Sequence, residues 1–310
     1  MNSRLPLYYT LCVLVIFSMS IGYAGNSQKH LAKALPNERV EVDMDVRYTP
    51  PPFSPLTRSL AGTYTGLQGY FDYQVNAGAC QYIRLDKSDA TGNKIHVIFM
   101  TASDSADPTG STRRTNYAYS STGGQTWDTF NNLVVPGRRS GYPSLDMLQG
   151  TVEGVIIANH NVAGTDLTSV VFVDAPPGSG AFAELSLPPI IGGGDEPIWP
   201  MVAGTANSSI VMSASRSTAN TGHHTMTSDF TTWSPWGNPL PAASAGLPTK
   251  ANGNGRVAIL LNTSFAGDNG IYYLESTDNG VTWPAQGTQI VGTTRIAGPD
   301  TFTYVLGSDL

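Results

Sequence analysis

Three things are scarce in this sequence, and each scarcity excludes a class of protein. Charged residues make up only 13% of the 310 positions, too few for coiled coils or long solvated helices. No stretch sustains a helical apolar period, so almost no helix is expected. Cysteine occurs 2 times, as Cys12 and Cys80. Cys12 sits in an N-terminal apolar run, which leaves Cys80 as a lone thiol and stability to a large hydrophobic core. No spacing of His, Cys or carboxylates matches a metal site, and no cofactor is implied. Basic residues are outnumbered, 17 Lys and Arg against 23 Asp and Glu, which argues against nucleic acid or an anionic membrane surface as a partner.

What is present points to short strands and tight turns: 33 Gly and 21 Pro suit sandwiches, barrels and propellers. At the N-terminus Arg4 precedes an apolar run over 5–23, and the small residues Gly22 and Ala24 follow. This pattern predicts a signal peptide over 1–24, cleaved after Ala24, with a secreted, periplasmic or extracellular product that keeps no membrane span. An uncleaved anchor is the alternative reading of the run. Residues 25–59 carry mixed charge and Pro50-Pro51-Pro52, and read as a tether or edge strand ahead of an ordered region over 60–310.

A repeat then runs through the chain. Aromatic residues end similar turns at Trp127, Phe182, Trp233 and Trp283, at spacings of 55, 51 and 50. Pro143, Pro200, Pro248 and Pro299 follow in the same phase, at spacings of 57, 48 and 51. Between the markers lie β-branched runs of strand length, such as Ile95 to Thr101, Val155 to Asn159, Ile210 to Ala214 and Val257 to Leu261. A unit of this length with about four strands is a propeller blade, which buries both faces only against neighbouring blades. A β-sandwich is the competing architecture, but it gives no reason for Pro and Trp to recur in phase.

The turn Ser276 to Trp283 reads STDNGVTW, an S-x-D-x-G-x-T-W octamer in which Asp278 can accept turn amides, Gly280 permits a positive φ, and Thr282 and Trp283 complete the motif. SSTGGQTW keeps Ser120, Gly124, Thr126 and Trp127 but has Thr122 in place of the aspartate; TSDFTTW keeps Asp229 and Trp233 but is one residue short; Asp174 to Phe182 is the most eroded copy. Together these turns resemble the BNR/Asp-box repeats of the sialidase superfamily, over roughly residues 75 to 310. The resemblance implies an all-β propeller, six-bladed in the sialidases, of which four to five blades lie in this chain. It also implies that the boxes are structural turns on the face away from the active site, and it points to glycan or glycoprotein as the partner. An open ring leaves sheet edges unpaired, so further blades or a partner closing the ring are expected.

Strand alternation places the residues ahead of the prolines, and the ends of the second strands, around the opposite mouth. Arg139, Glu196 and Arg295 stand four residues before a proline, and Tyr142 and Trp199 immediately before one; His160 and Arg216 come from strand ends. Guanidiniums hold a carboxylate in a fork while aromatic faces stack on sugar rings, so the set suits an acidic sugar. The resemblance implies three substrate-binding arginines, a tyrosine nucleophile with a glutamate base, and an aspartate acid/base. On that pattern Tyr142 and Glu196 are the nucleophile and its base, and Arg139 and Arg295 belong to the catalytic set. The family's F/Y-R-I/L-P signature is absent, so its first arginine has no counterpart here. Two functions stay open: an exo-sialidase-type glycoside hydrolase, or a non-catalytic exported propeller that binds glycan or protein.

Overall fold

A computed structural model describes residues 64–67, 69, 81–86, 88–104, 111–130, 138–163, 166–186, 188–191, 196–216, 221–237, 240–241, 247–265, 268–292, 294–297 and 300–303, all within the unit Ala61–Leu310. The expected signal peptide and tether lie outside these residues. Where the sequence alternates apolar and small polar residues between Gly-rich turns, the chain forms four antiparallel sheets of four strands each. The first blade is β1 (Ile83–Leu85), β2 (Ile95–Ala102), β3 (Arg113–Ser120) and β4 (Asp128–Phe130). The second is β5 (Ser140–Met147), β6 (Val155–Ala163), β7 (Asp166–Asp174) and β8 (Phe182–Glu184). The third is β9 (Ile198–Gly204), β10 (Ile210–Arg216), β11 (Thr221–Thr227) and β12 (Leu240–Pro241); the fourth is β13 (Thr249–Ala251), β14 (Val257–Phe265), β15 (Asp268–Ser276) and β16 (Thr288–Gly292).

One register repeats in all four. The first residue of each second strand pairs on one side with the last residue of the inner strand: Ile95 with Leu85, Val155 with Met147, Ile210 with Gly204 and Val257 with Ala251. On the other side it pairs with the residue that opens the aromatic turn: Ser120, Asp174, Thr227 and Ser276. The four aromatic turns marked in the sequence are therefore equivalent positions of a propeller blade, and the architecture is an all-β propeller of four-stranded blades.

Each blade packs on the next through interdigitated apolar side chains. Ile98 and Tyr117 of the first meet Leu145, Ile157 and Phe172 of the second. Ile156, Ala158 and Val171, on the other face of the second, meet Val202, Met212 and Trp233 of the third. Leu240 then meets Ile259, Leu261 and Leu274 of the fourth. Successive residues of one strand thus serve opposite interfaces, which is why the runs read as continuously apolar. Ile156 and Ile157 are both fully buried, and truncating either to alanine costs about 2–5 kcal/mol.

The axis between the blades is occupied by Gln81. This residue is 1% exposed and precedes β1. Its Nε2 donates to Val202 O at 3.0 Å, its Oε1 accepts Thr249 N–H at 3.2 Å, and its own carbonyl accepts Leu145 N–H at 2.7 Å. One glutamine therefore fastens the inner strands of the second, third and fourth blades.

After β16 the chain departs from expectation. Residues 300–307 read as the inner strand of a fifth blade, without partners. Instead β17 (Thr294–Ala297) and β18 (Asp300–Thr303) pair with each other in a separate two-stranded sheet, with Arg295 opposite Phe302. Arg295 is thus a strand residue rather than part of an entrance loop; its side chain lies outside the described residues. Among the described residues the four blades form an open arc.

Candidate functional site

The rim formed by the starts of the inner strands and the ends of the second strands has an unusual backbone. Tyr142 and Trp199, each followed by proline, have φ of 48° and 55°. A positive φ is an outlier for a bulky residue, and a residue ahead of proline is normally extended, so each position stores about 1–3 kcal/mol of strain. The cause is a bulge at the same place in two blades: the β5–β6 register shifts between Gly141 and Ser144, and the β9–β10 register shifts between Ser213 and Ser215. Both bulges turn an aromatic ring out of the ladder.

The rings meet. Tyr142 lies edge-on to Trp199 with centroids 6.2 Å apart, and to His160 at 4.7 Å. The guanidinium carbon of Arg113 stands 5.3 Å from the Tyr142 centroid, a cation–π contact. Gly141 permits this convergence, since a Cβ there would come within 2.8 Å of Met100 Sδ and 3.6 Å of His160 Nε2.

His160 is buried, and its pKa is pushed down to about 3, first by burial and then by Arg113 and Arg139. The ring is therefore a neutral donor and acceptor at neutral pH. Both of its nitrogens lack a hydrogen-bond partner among the described residues, as do the whole amides of Asn159 and Asn161 and the Thr115 hydroxyl. Asn159 and Asn161 are 0% exposed. A buried polar group left unsatisfied costs about 1–3 kcal/mol, so groups of this kind take ordered water or a hydroxyl as partner.

The other expected site residues are placed as follows. Glu196 is buried and its Oε2 accepts Ile191 N–H at 2.8 Å, which fixes the carboxylate on the segment leading to Trp199. Arg216 is the half-buried last residue of β10. Arg138, a further candidate for the rim, pairs instead with Glu184 on the outer strand β8. His223 and His224 pack between blades: His224 lies 4.8 Å from the Trp283 ring, and burial lowers its pKa to about 4. Sequence reasoning passed over Arg113, Asn159 and Asn161. A signal for the asparagines was present in the N-H-N that interrupts the apolar strand VIIANHNVA.

The aromatic turns occupy the opposite rim. In the complete octamer Ser276 Oγ accepts Gly280 N–H at 2.9 Å and donates to Asp278 Oδ1 at 2.7 Å; Asp278 accepts Thr282 N–H at 2.9 Å and the Thr282 hydroxyl at 2.6 Å; Trp283 Nε1 donates to Gly280 O at 2.9 Å. The Thr122 copy repeats this network with a hydroxyl: Ser120 Oγ accepts Gly124 N–H at 2.8 Å, Thr122 Oγ1 accepts Thr126 N–H at 2.8 Å and lies 2.8 Å from Thr126 Oγ1, and Trp127 Nε1 donates to Gly124 O at 3.2 Å. In the short copy Asp229 accepts Thr231 and Thr232 N–H, while Trp233 Nε1 reaches across to Ser186 O at 2.7 Å. In the eroded copy the carboxylate has moved to the first position, where Asp174 accepts the amides of Gly178, Gly180 and Ala181.

The turn chemistry has a pH signature. Hydrogen bonds from Thr282, then Ser276, lower the Asp278 pKa from 3.8 to about 2. A depressed carboxyl adds stability above its unfolded pKa, and that stability disappears as pH falls from about 4 to about 2. Asp278→Asn should therefore lower the melting temperature at pH 7 and converge with wild type near pH 2, as read by a thermal melt at each pH. Thr122→Asp should do the reverse, raising the melting temperature at neutral pH by about 2 °C because charged acceptors outperform neutral ones. No gain at pH 7 would mean that the carboxylate has no energetic role in the turn.

The fold and this rim define the class: an all-β propeller with an aromatic and cationic cluster at one mouth. No protein-family model matches the sequence, and no curated protein matches it. Solved structures do align with it. The family 117 glycoside hydrolase Zg3597 of the marine bacterium Zobellia galactanivorans is 14% identical, over 74% of this chain and 75% of that one, with a TM-score of 0.43. A glycosyl hydrolase from Bacteroides ovatus is 11% identical over 67% and 68%, with a TM-score of 0.44. The endo-arabinase of Bacteroides thetaiotaomicron is 12% identical over 68% and 82%, with a TM-score of 0.37.

Proposed function

We propose that this chain is an exported propeller that recognises glycans at the Tyr142 rim, and that its ligand carries an acidic sugar. The observation that carries this reading is the convergence of Tyr142, Trp199, His160 and Arg113, with Asn159 and Asn161 flanking His160 in β6 and their buried amides without a partner among the described residues. Aromatic faces bind the apolar side of a pyranose, buried amides exchange hydrogen bonds with its hydroxyls, and a guanidinium attracts its carboxylate. The Asp-box-like turns on the other rim support a sialidase-type ancestry. The signal-like N-terminus supports export. The exposure of Ile83 and Leu85 on the first blade, at 59% and 57%, supports a further element that covers that blade.

A second reading, a sialidase-type glycoside hydrolase, takes Tyr142 as nucleophile and the buried Glu196 as its base on their equivalent blade positions, with Arg139 and Arg295 in the catalytic set. Calorimetric titration with 3′-sialyllactose and with lactose tests recognition. Trp199→Ala should weaken sialyllactose binding at least tenfold, since stacking on one aromatic ring is worth about 0.5–1.5 kcal/mol beyond its buried area. Equal binding by wild type and Trp199→Ala would refute the rim site. Release of free sialic acid by wild type but not by Tyr142→Phe would select the hydrolase.

A further inference from the structure

The strained backbone that displays Tyr142 is held from outside its own blade. Where the β5–β6 register shifts between Gly141 and Ser144, Tyr142 has no partner in the ladder. A backbone amide in that position needs another acceptor. The acceptor is a thioether of the first blade: Tyr142 N–H donates to Met100 Sδ at 3.2 Å. Met100 stands near the end of β2 and is 1% exposed, and the missing Cβ of Gly141 gives its sulfur room. The start of β5 is tied to the same blade, since Ser140 Oγ accepts Thr115 N–H at 2.9 Å, and Thr115 is the ladder partner of Met100.

A left-handed backbone at a bulky residue persists only where its surroundings over-determine it. At Tyr142 the sulfur of Met100 is one of those surroundings, acting on the residue's own N–H. A thioether is a weak acceptor of adaptable shape, so a leucine of similar volume would keep the packing and lose the bond. We propose that Met100 is a positioning residue of the Tyr142 rim: its sulfur fixes the Tyr142 amide, and through it the angle at which the ring meets Trp199 and His160. The inference rests on the reading of that rim as a ligand site. The blade position recurs, because His160 lies as far along β6 from Val155 as Met100 lies along β2 from Ile95, and Val155 and Ile95 are equivalent in register. One lends a sulfur to the backbone of the next blade, the other a ring to the aromatic cluster.

Amide hydrogen exchange and ring-to-ring nuclear Overhauser contacts, read on the full chain beside calorimetric titration with 3′-sialyllactose, test it. In Met100→Leu the Tyr142 amide should exchange roughly tenfold faster, the contact between the Tyr142 and Trp199 rings should weaken, and sialyllactose binding should fall by a similar factor. Met212→Leu, a change of the same kind in the packed interface of the second and third blades, should alter none of the three. Gly141→Ala, whose Cβ would press on the sulfur from 2.8 Å, should repeat the effects of Met100→Leu and serves if that variant does not fold. Unchanged exchange and ring contact in Met100→Leu would overturn the proposal, as would equal changes in Met212→Leu. So would full sialyllactose binding by a Met100→Leu protein whose amide exchange has risen. If wild type does not bind sialyllactose, the acidic-sugar reading fails, and exchange together with the ring contact still decides whether the sulfur sets the ring.

Discussion

Gln81→Met is expected to cost the fold about 3–5 kcal/mol. The substitution keeps side-chain volume but strips both polar ends from the axis, leaving Val202 O and Thr249 N–H buried and unpaired. Each such group costs about 1–3 kcal/mol in desolvation alone. The two partners belong to different blades, so the loss also removes the side-chain amide that bridges the third blade to the fourth by hydrogen bonds. In a domain of this size the melting temperature should fall by roughly 10 °C, measured by circular dichroism. Gln81→Glu separates the roles, because it keeps the acceptor for Thr249 and loses the donor to Val202; at neutral pH it should be at least as damaging, since it buries a charge. A shift below about 2 °C in Gln81→Met would mean that the inner strands hold their spacing without the glutamine.

Gly204→Ala should be of similar severity for a different reason. The added Cβ would lie 2.0 Å from Met147 O and 2.7 Å from Met147 C, both backbone atoms of the neighbouring inner strand. No rotamer change relieves a clash with backbone, so the second and third blades must separate. Overpacking with a flexible neighbour costs about 1–3 kcal/mol, and this case should exceed that range. The same glycine also gives its N–H to Asp146 and accepts Gln149 Nε2 at 2.9 Å, so the movement breaks two further bonds. Chemical denaturation of Gly204→Ala beside Gly154→Ala makes the comparison: the nearest atom to a Cβ at Gly154 is a Leu148 methyl at 3.1 Å, which can yield. Equal stability of the two variants would show that the inner strands are not packed at backbone contact.

These two positions mark what was hard to read in the sequence. The second strands of all four blades and the turns that end the third strands were legible, because each depends on local patterns: β-branched runs, the S-x-D-x-G-x-T-W octamer and its variants. Gln81 was not, since its side-chain partners lie 121 and 168 residues away and leave no local trace. The rim was half legible. Position within the blade was enough to name Tyr142, Trp199 and His160, which do meet. Arg113 opens a third strand opposite Ala102, so alternation puts it on the same rim, but it lies outside the proline phase that marked the other candidates. The positive φ at Tyr142 and Trp199 runs against the usual extended conformation ahead of proline, so no propensity could have announced it.

The four turns differ in which oxygen collects the amides: a carboxylate at the third position, a threonine hydroxyl there, a carboxylate in a shortened loop, or an aspartate at the first position. Yet all four join the same two strands of the blade. Selection on such a corner acts on acceptor placement and is blind to the identity of the atom's bearer. Copies can therefore drift past recognition one by one while the ring they build stays constant, and a motif search that insists on the acid will undercount the repeats of proteins like this one.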